Sequence, residues 1–498
     1  MINASLVLAF AIALSAIGLA HAADEGSILT YHGTPDRGGN FVMPVLTVER
    51  ARGTHLDVGF QAKLSGHLYA QPLYWRETGA STGVLLAATE SNEVQALDAA
   101  TGRQLWSRSL GPPVSRAALG CGNISPLGVT GTPVIDPETQ AIYVDAAVGS
   151  AHGVRHLVFA LALKDGASLP GWPVDIAEAL KQRGQVFNAR DQNQRGALTI
   201  LDGRLYVPFG GHYGDCGDYH GWVVGIALGD PHEIVTWMTP ARGGGIWAPG
   251  GITTDGRSLY VATGNTFGAS TWMGGEAIIR LSRDLKSYVN QRNFFTPENW
   301  RALDEQDGDL GGTNPVLVDV PSNAARQAFV VALGKDGHAY LLDRDNLGGI
   351  GGSLADEVVS PRPIRTAPAS YAVAGSAFVA FQGTGSHCPL GQPAGELIAL
   401  KVAGGDQPAL TTAWCGAVRG AGSPIVTTTD GHSEPIVWIV GAEGDNRLHA
   451  FKGDTGESLF TGRNPSKAMT GLHHFQSLIA AGERLYVGAD DKIYAFAF

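Results

Sequence analysis

Several short segments of this sequence set residues with usable chemistry beside glycines or tight turns. In Gly243-Gly244-Gly245-Ile246-Trp247 the glycines let the backbone run close to a flat ligand while the indole offers its face. Gly264-Asn265 follows the strand-like Leu259-Tyr260 run, and an Asn side-chain carbonyl is a good ligand for a hard cation. Asp304-Glu305-Gln306-Asp307-Gly308-Asp309 groups carboxylates that suit Ca²⁺ ligation or general-base work. Lys335-Asp336-Gly337-His338 is a hairpin turn that carries a lysine just before its Asp-Gly pair. Each has an ordinary reading too: Trp247 as a wedge between sheets, Asn265 as a turn residue, Lys335 as a solvated lysine, and the acids as loop residues. The loop His212–His220 is rich in His and Asp, but its spacing fits no zinc signature and reads as a polar loop. His473-His474 opens the last inner strand.

These residues must be held by short strands. The chain of 498 residues has 68 Gly and only 16% charged residues, which suits many tight turns and not long surface helices. A short unit recurs: Val94-Gln95-Ala96-Leu97-Asp98-Ala99-Ala100-Thr101-Gly102-Arg103-Gln104-Leu105-Trp106 returns as Leu448-His449-Ala450-Phe451-Lys452-Gly453-Asp454-Thr455-Gly456-Glu457-Ser458-Leu459-Phe460. An alternating strand, an Asp-x-x-Thr-Gly turn and a second strand closing on an aromatic form an outer hairpin. Repetition of this unit predicts an all-β closed ring, a β-propeller of about eight four-stranded antiparallel blades. The last group, 473–498, holds only about three strands, so His55 to Leu64 is expected to supply the missing outer strand and close the ring. Residues 176–184 and 298–305 are expected to form short helical loops, and 348–353 a plain loop. Residues 23–498 read as one domain.

An apolar run from Leu6 to Leu19, followed by Ala20-His21-Ala22, reads as a signal peptide covering residues 1–22. The mature chain is thus expected to be periplasmic or secreted, with no membrane span. A formal net charge of −11 with no dense Lys/Arg run argues against nucleic acid as a partner. Four cysteines fit an oxidising compartment and allow three pairings. Cys121 with Cys216 and Cys388 with Cys415 are the preferred ones. No Cys-x-x-Cys-His occurs, which excludes a covalent c-type haem.

The repeats together with Trp247, Asn265 and the element Lys335–Arg344 resemble the pyrroloquinoline-quinone (PQQ) dehydrogenases, eight-bladed quinoprotein alcohol dehydrogenases. The resemblance implies PQQ stacked on Trp247 and contacted by Lys335, with Ca²⁺ on Asn265. It implies a catalytic aspartate in the 304–309 loop; ungapped, that position falls on Gln306, and Asp307 takes the role if the loop shifts by one residue. Asp309 is a further metal-ligand candidate. The family's adjacent cysteine pair is here Cys121-Gly122, and an Arg that grips cofactor carboxylates is replaced by Leu127, for which Arg195 is the substitute candidate. In place of the family's calcium-binding Glu, Asp215 or Asp218 stands in the 211–220 loop. The implied activity is oxidation of a small alcohol or sugar, with electrons leaving to a separate acceptor. The alternative is a non-catalytic propeller that binds a protein partner or a ligand.

Overall fold

The computed structural model describes residues 26–286, 290–320, 327–385, 387–393, 395–462 and 468–498. The expected signal peptide, residues 1–22, lies outside them. Eight sheets follow one another in chain order as the blades of a propeller. Blade 1 is Leu73–Trp75, Val84–Ala88, Glu93–Asp98 and Gln104–Ser109, each strand antiparallel to the next. Blades 2 to 7 repeat this plan, with innermost strands at Val134–Asp136, Thr199–Leu201, Thr253–Thr254, Val316–Val320, Ala369–Val373 and Ile425–Thr428. Blade 8 has Leu478–Ala481, Arg484–Ala489 and Lys492–Ala497 from the C-terminal end of the chain.

Its outer edge comes from the N-terminal side. His55–Leu56 and Ala62–Lys63 both pair antiparallel with Lys492–Ala497. The closing segment is thus two short pieces with a loop between them, not one strand. Expectation and structure also differ at Gly349–Ile350, which adds a parallel strand to the outer edge of blade 4 at Phe295 and Thr296. The helical loops are Ile176–Lys181 and Trp300–Gln306. No helix among the described residues is long and apolar enough to cross a membrane.

Strand periodicity explains the packing. In blade 2, Ile142, Val144 and Ala146 enter an apolar core shared with blade 1, whereas Ala141 and Tyr143 enter one shared with blade 3. An inner strand such as Ala141–Ser150 therefore buries both faces, whereas the outermost strand Gln104–Ser109 is largely exposed. One core joins Trp438 of blade 7, Leu485 of blade 8 and Leu85 of blade 1, so the ring is closed by packing as well as by hydrogen bonds.

A segment with no assigned place in the repeat crosses the middle. Ile28 pairs with Tyr74 of blade 1, and Asn40–Val42 pairs in parallel with the innermost strand of blade 7. Between them, Arg37 is fully buried and donates to the carbonyls of Leu198 and Ile252 and to Thr199 Oγ1, in blades 3 and 4. Burial lowers the Arg37 pKa to about 9.

Candidate active site

Strands alternate in direction across a blade. The loop leading into each first strand and the turn between its second and third strands therefore open at the same end of the ring. At that end lies a cavity of about 550 Å³. Its wall contains Arg195, Asp215, Trp247, Asn265, Asp307, Asp309 and Lys335, together with Arg365, His474 and Phe475. All seven residues singled out from the sequence thus converge on one cavity. Gln306 and Asp218 are not part of its wall.

The glycine run before Trp247 works by close approach. Gly243 and Gly244 have φ of 90° and 61°, and Gly244 N–H donates to the carbonyl of Asn265. A Cβ on Gly243 would fall 2.5 Å from that same carbonyl oxygen. Gly245 in turn accepts from Gly264 N–H. The strap that carries Trp247 and the turn that carries Asn265 are thereby locked together. Gly264 completes the fit: a Cβ there would meet Asp309 Oδ1 at 2.5 Å and Trp247 Nε1 at 3.0 Å. Trp247 is half-buried at the cavity, not wedged between sheets.

The carboxylates are set by the helix Trp300–Gln306. Asp304 accepts from Thr266 N–H and Oγ1–H at 2.7 and 2.8 Å, which pins the helix to the Asn265 turn. Asp307 ends the helix in a left-handed conformation (φ 55°), and the chain then turns so that Asp309 points inward. Asp309 is buried; its Oδ1 accepts from Asn265 N–H at 2.7 Å and its Oδ2 pairs with Lys335. Asp307 Oδ1 takes a second hydrogen bond from the same ammonium at 2.7 Å. Lys335 N–H also donates to the Asp309 carbonyl, so backbone and side chain hold the turn in place. The Lys335 ammonium lies 5.3 Å from the centre of the Trp247 ring.

Burial raises the Asp309 pKa despite Lys335, which works to lower it. Burial opposes the charge on Lys335 as well, but Asp309 and Asp307 outweigh it and hold the ammonium above its ordinary value. Glu276 stands behind them, fully buried. Its Oε2 accepts from Leu310 N–H at 2.6 Å and its Oε1 has no partner. Burial, reinforced by the neighbouring Asp309 charge, pushes its pKa well above the carboxylate range. Nothing in its local sequence marks it beyond the preceding Gly274-Gly275.

The opposite wall is cationic and aromatic. The Arg195 guanidinium lies 5.8 Å from the Trp247 ring centre and 5.0 Å from that of Phe475, with no hydrogen bond to any described residue. Arg365 and Phe475 arrive from blades 6 and 8 and have no local sequence signal. Both preferred disulfides are present, Cys121–Cys216 and Cys388–Cys415. The first links the loop before blade 2 to the turn of blade 3 next to Asp215, whose Oδ1 accepts from Tyr219 O–H at 2.6 Å. Two disulfides fit an extracytoplasmic protein. Leu127 is buried with Val114, Leu119 and Ile124. Among the described residues, the His212–His220 loop gathers no group of three potential metal ligands.

The fold is an eight-bladed β-propeller with this cavity at one end of its ring. No family model matches the chain, and no curated protein does. Among solved structures it is similar to the quinohemoprotein alcohol dehydrogenase from Pseudomonas putida (TM-score 0.64, 16% identity, covering 95% of this chain and 80% of that one). It is similar to the enzyme of the same name from Comamonas testosteroni (TM-score 0.63, 15% identity, 95% and 80%). A europium-containing methanol dehydrogenase matches at TM-score 0.63 and 13% identity over 95% of this chain and 98% of that one. At these identities the likeness is one of fold.

Proposed function

We propose that the protein is a periplasmic or secreted quinoprotein dehydrogenase that oxidises a small alcohol or sugar, with PQQ and Ca²⁺ held in the cavity and electrons passed to a separate acceptor. The observation that carries this reading is the convergence of Trp247, Asn265, Asp307, Asp309, Lys335 and Arg195 on one cavity. Three features support the fit to such a group. Trp247 presents a flat face, Arg195 is a cation with no acidic partner bonded to it, and the Asn265 side-chain amide makes no hydrogen bond to any described residue. The volume also lies within the ~300–1,000 Å³ of small-molecule sites.

Bound PQQ would supply a two-electron acceptor, and Ca²⁺ beside it a Lewis acid. In this reading Arg195 would grip carboxylates on the cofactor, and Asn265 with Asp215 would hold the metal. Asp309 is the weaker metal candidate, since both its oxygens are engaged. Asp307 is the proton acceptor. Its Oδ2 has no partner among the described residues and it borders the cavity, so it can take a hydroxyl proton from a substrate. Lys335 pairs with Asp307 Oδ1 and adds positive charge over the Trp247 face.

The test is reconstitution of the mature chain with PQQ and Ca²⁺, read by the bound-quinone spectrum and by dye reduction with a panel of alcohols and sugars. Trp247→Ala should weaken binding by about tenfold or more. Asp307→Asn should keep binding and lower turnover by about 10²-fold or more. No binding at tens of micromolar PQQ overturns the proposal. The second reading, a non-catalytic propeller with a protein or ligand partner, is favoured by one observation: buried Leu127 stands where the family has a cofactor-gripping Arg.

A further inference from the structure

A second group of ligating side chains lies at the same end of the ring, where blades 8 and 1 meet. His67 is in the loop that enters blade 1. His473 is in the loop that enters blade 8. Asp490 is in the turn between the second and third strands of blade 8. His67 Nδ1 lies 3.0 Å from Asp490 Oδ2, and His473 Nε2 lies 2.7 Å from Asp490 Oδ1. One donor atom from each of the three falls within 4.8 Å of the others.

Three observations mark this as a prepared site. The backbones are fixed to one another: Asp490 N–H donates to the Gly471 carbonyl, and Asp491 N–H to that of Gly66. Gly471 has φ 73°, and a Cβ there would meet Asp490 Cβ at 2.8 Å, so this approach needs glycine. The His473 ring is held by stacking on Tyr69, with centres 4.4 Å apart. Finally, His67 Nδ1 is a buried nitrogen with no hydrogen-bond partner, because its approach to Asp490 is out of line. A cation in line with that lone pair would satisfy it.

We propose that His67, His473 and Asp490 bind one borderline divalent cation, Zn²⁺ by preference, which clasps the first blade to the last. Two imidazole nitrogens and one carboxylate suit Zn²⁺ and its neighbours better than Ca²⁺ or Mg²⁺. Donor atoms within 4.8 Å of one another can share one ion at the usual ligand distances of about 2.0–2.2 Å. The site involves none of the residues proposed to hold PQQ.

The test uses the chelator-treated mature chain without a polyhistidine tag. Titration with Co²⁺ should give one equivalent of visible absorption bands that Zn²⁺ abolishes, and Zn²⁺ should raise the unfolding midpoint. His473→Ala and Asp490→Asn should each weaken binding by about tenfold or more and remove the midpoint shift. His338→Ala, outside the group, should change neither. Near-UV circular dichroism checks that the variants fold. Absence of one-equivalent binding at tens of micromolar metal, or binding that persists in both variants, overturns the proposal and leaves a hydrogen-bonded clasp.

Discussion

At Lys335 burial and pairing pull in opposite directions, and pairing wins. Lys335→Met should leave Asp309 buried without a counter-charge and beside Glu276, at a cost of about 3–5 kcal/mol in chemical unfolding. Lys335→Met with Asp309→Asn should recover most of that loss, because a neutral pair leaves no orphan charge. Glu90 gives a pH test. It is fully buried in blade 1, accepts from Gly128 N–H and Thr130 O–H, and burial raises its pKa from 4.5 to about 7. The folded state thus holds this proton more tightly than the unfolded one. Its contribution is full below about pH 4.5 and is lost as pH rises to about 7. Glu90→Gln keeps the bond from Gly128 N–H and reverses the other, with the amide donating to Thr130 Oγ1, and it carries no charge, so it should flatten the fall in stability over that window by about 3 kcal/mol, at 1.36 kcal/mol per pKa unit. Urea unfolding at the two pH limits measures it. Trp247, Asn265 and Lys335 were legible from glycines and turns on either side of them. Glu276 was not, because its role depends on Leu310 and Asp309, which are distant in sequence.

The recurrent turn shows its purpose only between blades. Asp98 accepts from Ala100 N–H, Thr101 N–H and Thr101 O–H, which shapes the Asp-x-x-Thr-Gly corner. The Gly of the next blade's turn then receives a Trp. Trp414 Nε1–H donates to the Gly453 carbonyl, and a Cβ on Gly456 would fall 2.7 Å from its ring. Trp106 does the same with the Leu163 carbonyl and Gly166. Trp414 is fully buried and Trp106 is not, so Trp414→Ala should cost about 3–5 kcal/mol and Trp106→Ala clearly less in the same assay. The two disulfides should separate in effect. Replacing Cys121 and Cys216 by Ser frees the loop that presents Asp215, which should weaken ligand binding in the cavity. Replacing Cys388 and Cys415 lies within blade 6 and should lower thermal stability without that loss.

At the scale of the whole molecule, closure uses both ends of the chain. The outer edge of blade 8 was legible as an unclaimed strand-like run because the last repeat is visibly short. The segment across the middle was not, since it has no repeat and no periodicity. Its anchor is Arg37, held by carbonyls and hydroxyls instead of an acid. Arg37→Met should leave the Leu198 and Ile252 carbonyls without this donor and cost about 2–4 kcal/mol, seen as a lower unfolding midpoint with the native fold retained.

Strand, turn and repeat are local properties, carried by alternation over a few residues and by glycines at fixed offsets. The sequence by itself therefore determined the ring, its blade number and its closing strand, and it picked out the irregular segments where chemistry was to be expected. Only the tertiary structure decided that Arg195, Asp215, Trp247, Asn265, Asp307, Asp309 and Lys335 share one cavity with Arg365 and Phe475, and that Glu276 stands buried behind Asp309. The reason is geometric. Loops from successive blades converge only when the ring closes and its strands alternate in direction, so the site depends on contacts between residues up to 280 positions apart, such as Arg195 and Phe475.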